Sequence, residues 1–236
     1  MRWRISTWAA CAVFLASALA ACGGSSHHHA TSSSDNGIAT KSPQAIVTAA
    51  MGAIDSARTV HVAGSIVSGG SPVTMDLDLV SGEGGRGAMS ESGRSFQVVV
   101  LGGTVYINGS QAFWRHYGGV LAALLLRGNW LKAPASGQFA PLGVVSNSRE
   151  LFNMLLSNHG TLAKRATTVV NGQNVVAVND TTKGGTLYVA TMGKPYPVEV
   201  VKSGAQGGHI VFDRYNEPVS LNAPGNAIDI SQLPSK

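Results

Sequence analysis

The 236-residue chain is 44% hydrophobic and only 12% charged, with a formal net charge of +5. Its 17 basic residues less Arg2 and Arg4 of the N-terminal segment leave 15 against 12 acidic, a net of +3, and no Lys or Arg run occurs. Nucleic-acid surfaces gather their basic residues, so that class of partner is excluded, whereas a mild attraction to anionic lipid head groups is not.

Arg2 and Arg4 begin the chain as a positive n-region, and residues 8–19 are almost wholly apolar but too few to span a bilayer. Leu19-Ala20-Ala21-Cys22 comes next. Small residues placed directly before a cysteine resemble the lipobox of bacterial lipoproteins. That resemblance implies a signal peptide over residues 1–21, a diacylglycerol thioether on Cys22, and a lipid anchor to the outer face of a cell membrane. The thiol is the side chain there nucleophilic enough to take the lipid, and two or three acyl chains anchor stably where one is marginal. Residues 22–41 then read as the lipidated cysteine and a flexible Gly/Ser/Thr/His linker. Residues 42–236, about 195, suit one domain. Cys11 and Cys22 are the only cysteines, so that domain has no disulfide and depends on burial.

Ser42-Pro43 starts a helix, with Ser as N-cap and Pro at the first helical position. Ile46, Val47, Ala50, Met51 and Ile54 recur at helical spacing to about Arg58. The period then changes to two. Val60 and Val62 begin a strand, and Val73, Met75, Leu77 and Leu79 alternate with Thr74, Asp76 and Asp78, which predicts one buried and one wet face. Residues 96–101 and 104–107 read as strands joined by Gly102-Gly103, with Asn108-Gly109 as the next turn. An apolar helical patch at residues 120–126 is either fully buried or lines something apolar; it is far too short to cross a membrane. Ser148 caps a helix bearing Leu151, Phe152, Leu155 and Leu156, with Gly160 as its stop. Asn171-Gly172 is the strongest hairpin signal, because both positions favour positive φ. Residues 185–191, 196–202 and 208–215 continue the meander, 219–221 reads as a last strand, and 228–230 adds to an edge. The fold class expected is α+β: one curved antiparallel sheet, an open half-barrel, with helices on its concave face.

Motifs that suggest chemistry dissolve on inspection. Gly82-Glu83-Gly84-Gly85-Arg86-Gly87 matches G-x-G-x-x-G, but strand succeeds it rather than the helix N-terminus a dinucleotide needs, so it is a hairpin turn. His27-His28-His29 sits in a linker that would have to be ordered to hold a metal. His61, His116, His159 and His209 are isolated. No H-E-x-x-H, C-x-x-C or G-x-S-x-G occurs, and Asp76 and Asp78 fit a solvated face. No catalytic residue, metal ligand or cofactor is assigned, and the chain reads as a non-enzyme. Phe113-Trp114-Arg115-His116-Tyr117, the most aromatic window, is read either as core packing at a helix start or as a cavity mouth, with Arg115 and Arg127 placed for a lipid head group. Trp130 reads as core.

The C-terminal third carries a family resemblance. Residues 185–200 run Gly-Thr-Leu-Tyr-Val-Ala-Thr-Met-Gly-Lys-Pro-Tyr-Pro-Val-Glu-Val, residues 210–219 Ile-Val-Phe-Asp-Arg-Tyr-Asn-Glu-Pro-Val, and Ala223-Pro224 lies just beyond. With the lipobox, tether and leading helix, this resembles the LolA-like lipoproteins of actinobacteria, of the LppX/LprG type, over residues 42–232. The resemblance implies an unclosed barrel about a hydrophobic cavity plugged by helices, and a function of binding or shuttling a lipid or lipoglycan in the cell envelope. An acyl chain buried there gains about 0.8 kcal/mol per methylene. The candidate cavity lining is Val73, Met75, Leu77, Leu79, Phe96, Val98, Val100, Phe113, Trp114, Leu124, Leu151, Leu155, Leu187 and Val189, with Cys22 as the lipidation site. The alternative is an envelope interaction or sensor module with a filled core.

Overall fold

The computed structural model describes residues 34–156, 159–205 and 207–233. Cys22, the apolar segment before it and the three linker histidines lie outside the described residues.

The expected helix is α1 (Pro43–Asp55). The Ser42 hydroxyl accepts from the Ala45 N–H at 3.3 Å, and the helix buries Ile46, Val47, Ala50 and Ile54. Five strands then run as a meander: β1 (Thr59–Ser68), β2 (Ser71–Val80), β3 (Gly84–Glu91), β4 (Arg94–Leu101) and β5 (Thr104–Gly109). After α2 (Gln111–Leu125) come β6 (Leu131–Pro134), a 3-10 segment (Gly137–Ser146) and α3 (Ser148–Leu156). A second meander comprises β7 (Leu162–Val170), β8 (Gln173–Asp180), β9 (Thr186–Ala190), β10 (Pro197–Lys202) and β11 (Gly208–Asp213). β12 (Ile228–Asp229) ends the sheet.

All twelve strands form one open sheet in the order β12-β6-β5-β4-β3-β2-β1-β11-β10-β9-β8-β7. Pairing is antiparallel except where β12 runs parallel to β6. The two meanders join through β1 and β11, with His61 opposite Asp213 and Ile66 opposite Gly208. Asn171 (φ 49°) and Gly172 (φ 75°) make the expected tight turn between β7 and β8.

The alternation along β2 has a definite sense. Met75, Leu77 and Leu79 are buried inward together with Val98 and Val100 of β4, under Ile54 of α1, Val145 and Phe152. Phe152 of α3 sits 4.3 Å, ring to ring, from Phe212 of β11. The Arg149 guanidinium holds the Asp55 carboxylate, tying α3 to α1. Helices and core therefore share one face, as in the expected half-barrel.

Several local expectations differ from the observed structure. Asn108 and Gly109 are not a turn: they finish β5 opposite Gln97 and Phe96, and the chain turns directly into α2 at Ser110. Residues 219–221 form no strand; β11 is already flanked by β1 and β10, so the chain leaving it meets no free edge before β6. Asn147, not Ser148, caps α3, its Oδ1 accepting from the Glu150 N–H at 3.1 Å. Of the glycine-rich motif only Gly82 and Glu83 turn. Gly84 to Gly87 belong to β3, where a Cβ on Gly85 would strike the Val145 carbonyl and one on Gly87 the Asp76 carbonyl. Residues 34–41, read as the end of the linker, are docked: the Asn36 N–H reaches the Thr191 carbonyl at 2.9 Å, and Ile38 is buried.

A candidate apolar-ligand cavity

α2 is the helix that makes the site. The Ser110 hydroxyl caps it by accepting from the Phe113 N–H at 3.2 Å. Its first turns drive Phe113 and Trp114 onto the sheet, where the Phe113 ring lies 4.7 Å from Phe96 and 4.9 Å from Trp114. The helix is broken at Gly119 (φ 78°, ψ −175°), a conformation open to glycine and strained for other residues. Past the break, inward positions fall on Ala122, Ala123 and Leu126, with Gly118 just before it. Ala122 lines the space beneath the helix, and Ala123 is buried in the core.

The result is a cavity of about 460 Å³, within the ~300–1,000 Å³ usual for sites that enclose a small molecule. Val73, Phe96, Ile107 and Leu131 form its sheet wall, one residue from each of β2, β4, β5 and β6. Phe113, Trp114, Ala122 and Leu126 form the helix wall, and Phe139, Pro141, Leu142, Ile230 and Leu233 close it from the 3-10 segment and the C-terminal stretch.

Polar groups are few: Ser90, Glu91, Tyr117 and Gln138. The Tyr117 hydroxyl donates to Glu91 Oε2 at 2.8 Å, and an Arg94 terminal nitrogen lies 3.4 Å from the same oxygen. The Tyr117 bond, helped by Arg94, holds the Glu91 carboxyl below the usual carboxylate range against the opposing pull of burial. The bond to Glu91, with burial, pushes the Tyr117 hydroxyl up. The rim thus presents an ionised acceptor. Two buried donors, Trp114 Nε1 and Arg94 Nε, have no hydrogen-bond partner among the described residues. A buried unpaired donor is costly, and Trp114 lines this space.

A second hollow of about 120 Å³ lies between α1, α3 and the second meander, walled by Val47, Leu155, Leu156, Leu162, Leu187 and Val200 and edged by Asp180 and Lys202. Its small volume makes it the lesser candidate. Among the described residues no group of His, Cys, Asp and Glu is placed to hold a metal ion.

The structure divides the predicted lining residues. Val73, Phe96, Phe113 and Trp114 meet in the large cavity; Leu155 and Leu187 line the small hollow. Met75, Leu77, Leu79, Val98, Val100, Leu151 and Val189 are packed into solid core. Leu124 faces outward and is 62% exposed. The 120–126 patch is accordingly neither fully buried nor wholly a lining, because Val120, Leu121, Leu124 and Leu125 all stand in the open. Trp130 is half-buried, and Leu131 takes the core position. His61 is not isolated: its Nδ1 lies 2.6 Å from Asp213 and its Nε2 3.1 Å from Asp76. His209 pairs with Glu199 at 3.3 Å. The residues that sequence reasoning missed are Ile107, Ala122, Leu126 and Leu131 and the closing pieces Phe139, Leu142, Ile230 and Leu233.

An unclosed, mostly antiparallel sheet with helices on one face and an apolar hollow beneath one of them is a fold shared with solved lipoprotein structures. Among the solved structures it resembles are LprF from Mycobacterium bovis, with 14% identity and a TM-score of 0.52 over 77% of this chain and 96% of that one, and lipoprotein LppX from Mycobacterium tuberculosis, with 17% identity and a TM-score of 0.51 over 76% and 98%. No family model and no curated protein matches the sequence.

Proposed function

We propose that the chain is a lipid-anchored protein of the bacterial cell envelope that holds the acyl portion of a lipid or lipoglycan in the cavity beneath α2. The observation that carries this reading is the cavity itself: about 460 Å³ walled mostly by apolar and aromatic side chains, with few polar groups among them. An apolar tail gains about 0.8 kcal/mol for each methylene withdrawn from water. The ionised Glu91 at the rim accepts hydrogen bonds from the hydroxyls of a head group, and the Trp114 N–H is a free donor for an ester or amide oxygen. The fold shared with LppX supports the same assignment, as do the lipobox ending at Cys22 and the linker behind it.

The alternative of a filled core fits only the part of the interior where Leu77, Leu79, Phe152 and Phe212 are fully buried together. Native mass spectrometry tests the proposal, using the chain from Gly23 onward expressed in an actinobacterial host. Co-purifying lipid, displaced in proportion to an added fluorescent fatty acid, is expected. Protein recovered empty that also fails to take up the fatty acid would refute it.

A further inference from the structure

α2 has two apolar sides, and only one of them is covered. Tyr117 is 55% exposed, Val120 69%, Leu121 56%, Leu124 62% and Leu125 42%. Past the break at Gly119, positions 120, 121, 124 and 125 keep helical spacing, so these side chains form one outward face, with Tyr117 exposed on the turn before it. On an ordinary surface helix the large apolar residues point inward and polar ones outward. Here the outward side carries the large residues, and the inward side Ala122 and Ala123. A helix of this kind needs a second apolar environment, and a contiguous exposed apolar face marks a contact site.

The charges around it identify the environment. Arg115 and His116 stand exposed at one end of the face and Arg127 at the other. Between Glu91 and Glu150 the chain contains no Asp or Glu, and Glu91 itself is engaged by Tyr117 and Arg94. Large apolar side chains flanked by arginines, on a helix that carries no Asp or Glu, suit the head-group region of an anionic bilayer. Leu and Val enter the acyl boundary there while Arg reaches the phosphates. The apolar face is too short to span, and no described helix is long and apolar enough to cross a membrane. Tyr117, exposed on the turn before the break, also lines the cavity.

We infer that the outward face of α2 is a membrane-docking surface that seats shallowly in an anionic phospholipid bilayer. The inference stands whether or not the cavity holds lipid.

Sedimentation with vesicles of phosphatidylcholine alone, and of phosphatidylcholine with phosphatidylglycerol at about three to one, tests it. The protein is the chain from Gly23 onward, which retains the compact unit Ser33–Lys236 and with it every helix and strand described. Wild type is expected to pellet with the anionic vesicles and less with the neutral ones. Leu121→Asp with Leu124→Asp is expected to weaken partitioning at least tenfold while leaving thermal unfolding unchanged, since both residues are exposed. Arg115→Gln and Arg127→Gln are each expected to cost about fivefold on anionic vesicles only, at about 1 kcal/mol per basic residue near such a surface. Ala122→Phe, which fills the cavity, is expected to bind vesicles like wild type, so this surface is distinguishable from a failure of the cavity reading. Wild type remaining in the supernatant, or pelleting unaffected by the double aspartate variant, overturns the inference. So does a wild-type dimer in solution that the double variant breaks, because a second copy would then be what covers the face.

Discussion

Filling the cavity is the sharpest perturbation of the proposed function. Ala122 lies on its helix wall opposite Val73 and Phe96 of the sheet. In Ala122→Phe the added ring enters space that no side chain occupies, so the core is not overpacked and the fold is expected to gain slightly in thermal stability. The ring takes the place of about four methylenes of a bound acyl chain. At about 0.8 kcal/mol each this removes about 3 kcal/mol, or about two hundredfold in Kd. The assay is titration of the soluble chain with a fluorescent fatty acid, monitoring probe emission together with quenching of the indole fluorescence, since Trp114 lines the same space. Leu124→Phe, on the outward side of the same helix, is the matched control and leaves probe affinity unchanged. A folded Ala122→Phe protein whose probe affinity equals that of wild type would refute the assignment of the acyl site to this cavity.

The remaining predictions concern stability and its pH dependence. Phe152→Ala removes a fully buried ring tilted against Phe212 and is expected to destabilise by about 3–5 kcal/mol, about 10 °C in melting temperature for a domain of this size; a loss under about 1 °C would show that the site collapses freely. Asp180 accepts from the N–H groups of Gly160, Thr182 and Lys183 at 2.7, 2.9 and 2.8 Å, bonds that hold its carboxyl below the ordinary range, led by that from Lys183. Because the folded value lies below the unfolded one, this stabilisation is complete above the unfolded range and drains away as pH falls through the folded value. The stability gap between wild type and Asp180→Asn should therefore narrow between about pH 5 and about pH 2, and a constant gap in denaturant titrations would contradict it. Tyr215 donates to the Pro197 carbonyl at 2.7 Å, and burial, with Tyr196 and Asp213 beside it, pushes its hydroxyl well up. Its neutral form is favoured only in the folded state, so stability falls as pH rises beyond the ordinary tyrosine range. Absorbance titration should show one of the five tyrosines ionising only with unfolding, a step that Tyr215→Phe removes.

The strands were legible wherever one face is wet. The alternation of Val73, Met75, Leu77 and Leu79 with Thr74, Asp76 and Asp78 locates β2 and its inward face, because period-two patterning survives any tertiary arrangement. Asn171-Gly172 was legible for a similarly local reason. Illegible features depend on the neighbours a segment meets in space. Asn108-Gly109 has the chemistry of a turn, yet the ladder with Gln97 and Phe96 holds it in β5. Residues 219–221 have strand composition but reach no free edge. For the site, inward parity does not distinguish a lining residue from a core residue. Val73 and Leu77 point the same way, but Leu77 lies under α1 and α3 and Val73 under the small residues of α2. The pieces that close the cavity, Phe139 and Leu142 in the 3-10 segment and Ile230 and Leu233 near the C-terminus, have no periodic signal at all. One missed element did leave a trace: Ile38 is the only large apolar residue between Cys22 and Lys41, and it is the residue that docks the end of the linker.

The cavity and the exposed patch have a common origin in the order of residues along α2. After the glycine pair, the run Val120, Leu121, Ala122, Ala123, Leu124, Leu125, Leu126 sets its small members on the sheet side and most of its large ones away from it. A helix rotated to bury Leu121 and Leu124 would fill the hollow and present alanines to solvent, an arrangement hydrophobic burial alone would favour. The observed rotation is held by Phe113, whose ring lies against Phe96, and by Trp114, edge-on to Phe113, at the start of the helix, and by Gly119, whose conformation resets the direction of the helical turns beyond it. Two aromatic anchors and one glycine thus keep the interior open beneath α2 and keep its largest aliphatic side chains outside. An open interior and an uncovered apolar surface are each unfavourable in water. Both are relieved at once where the outer face of α2 meets a bilayer and an acyl chain occupies the space behind it.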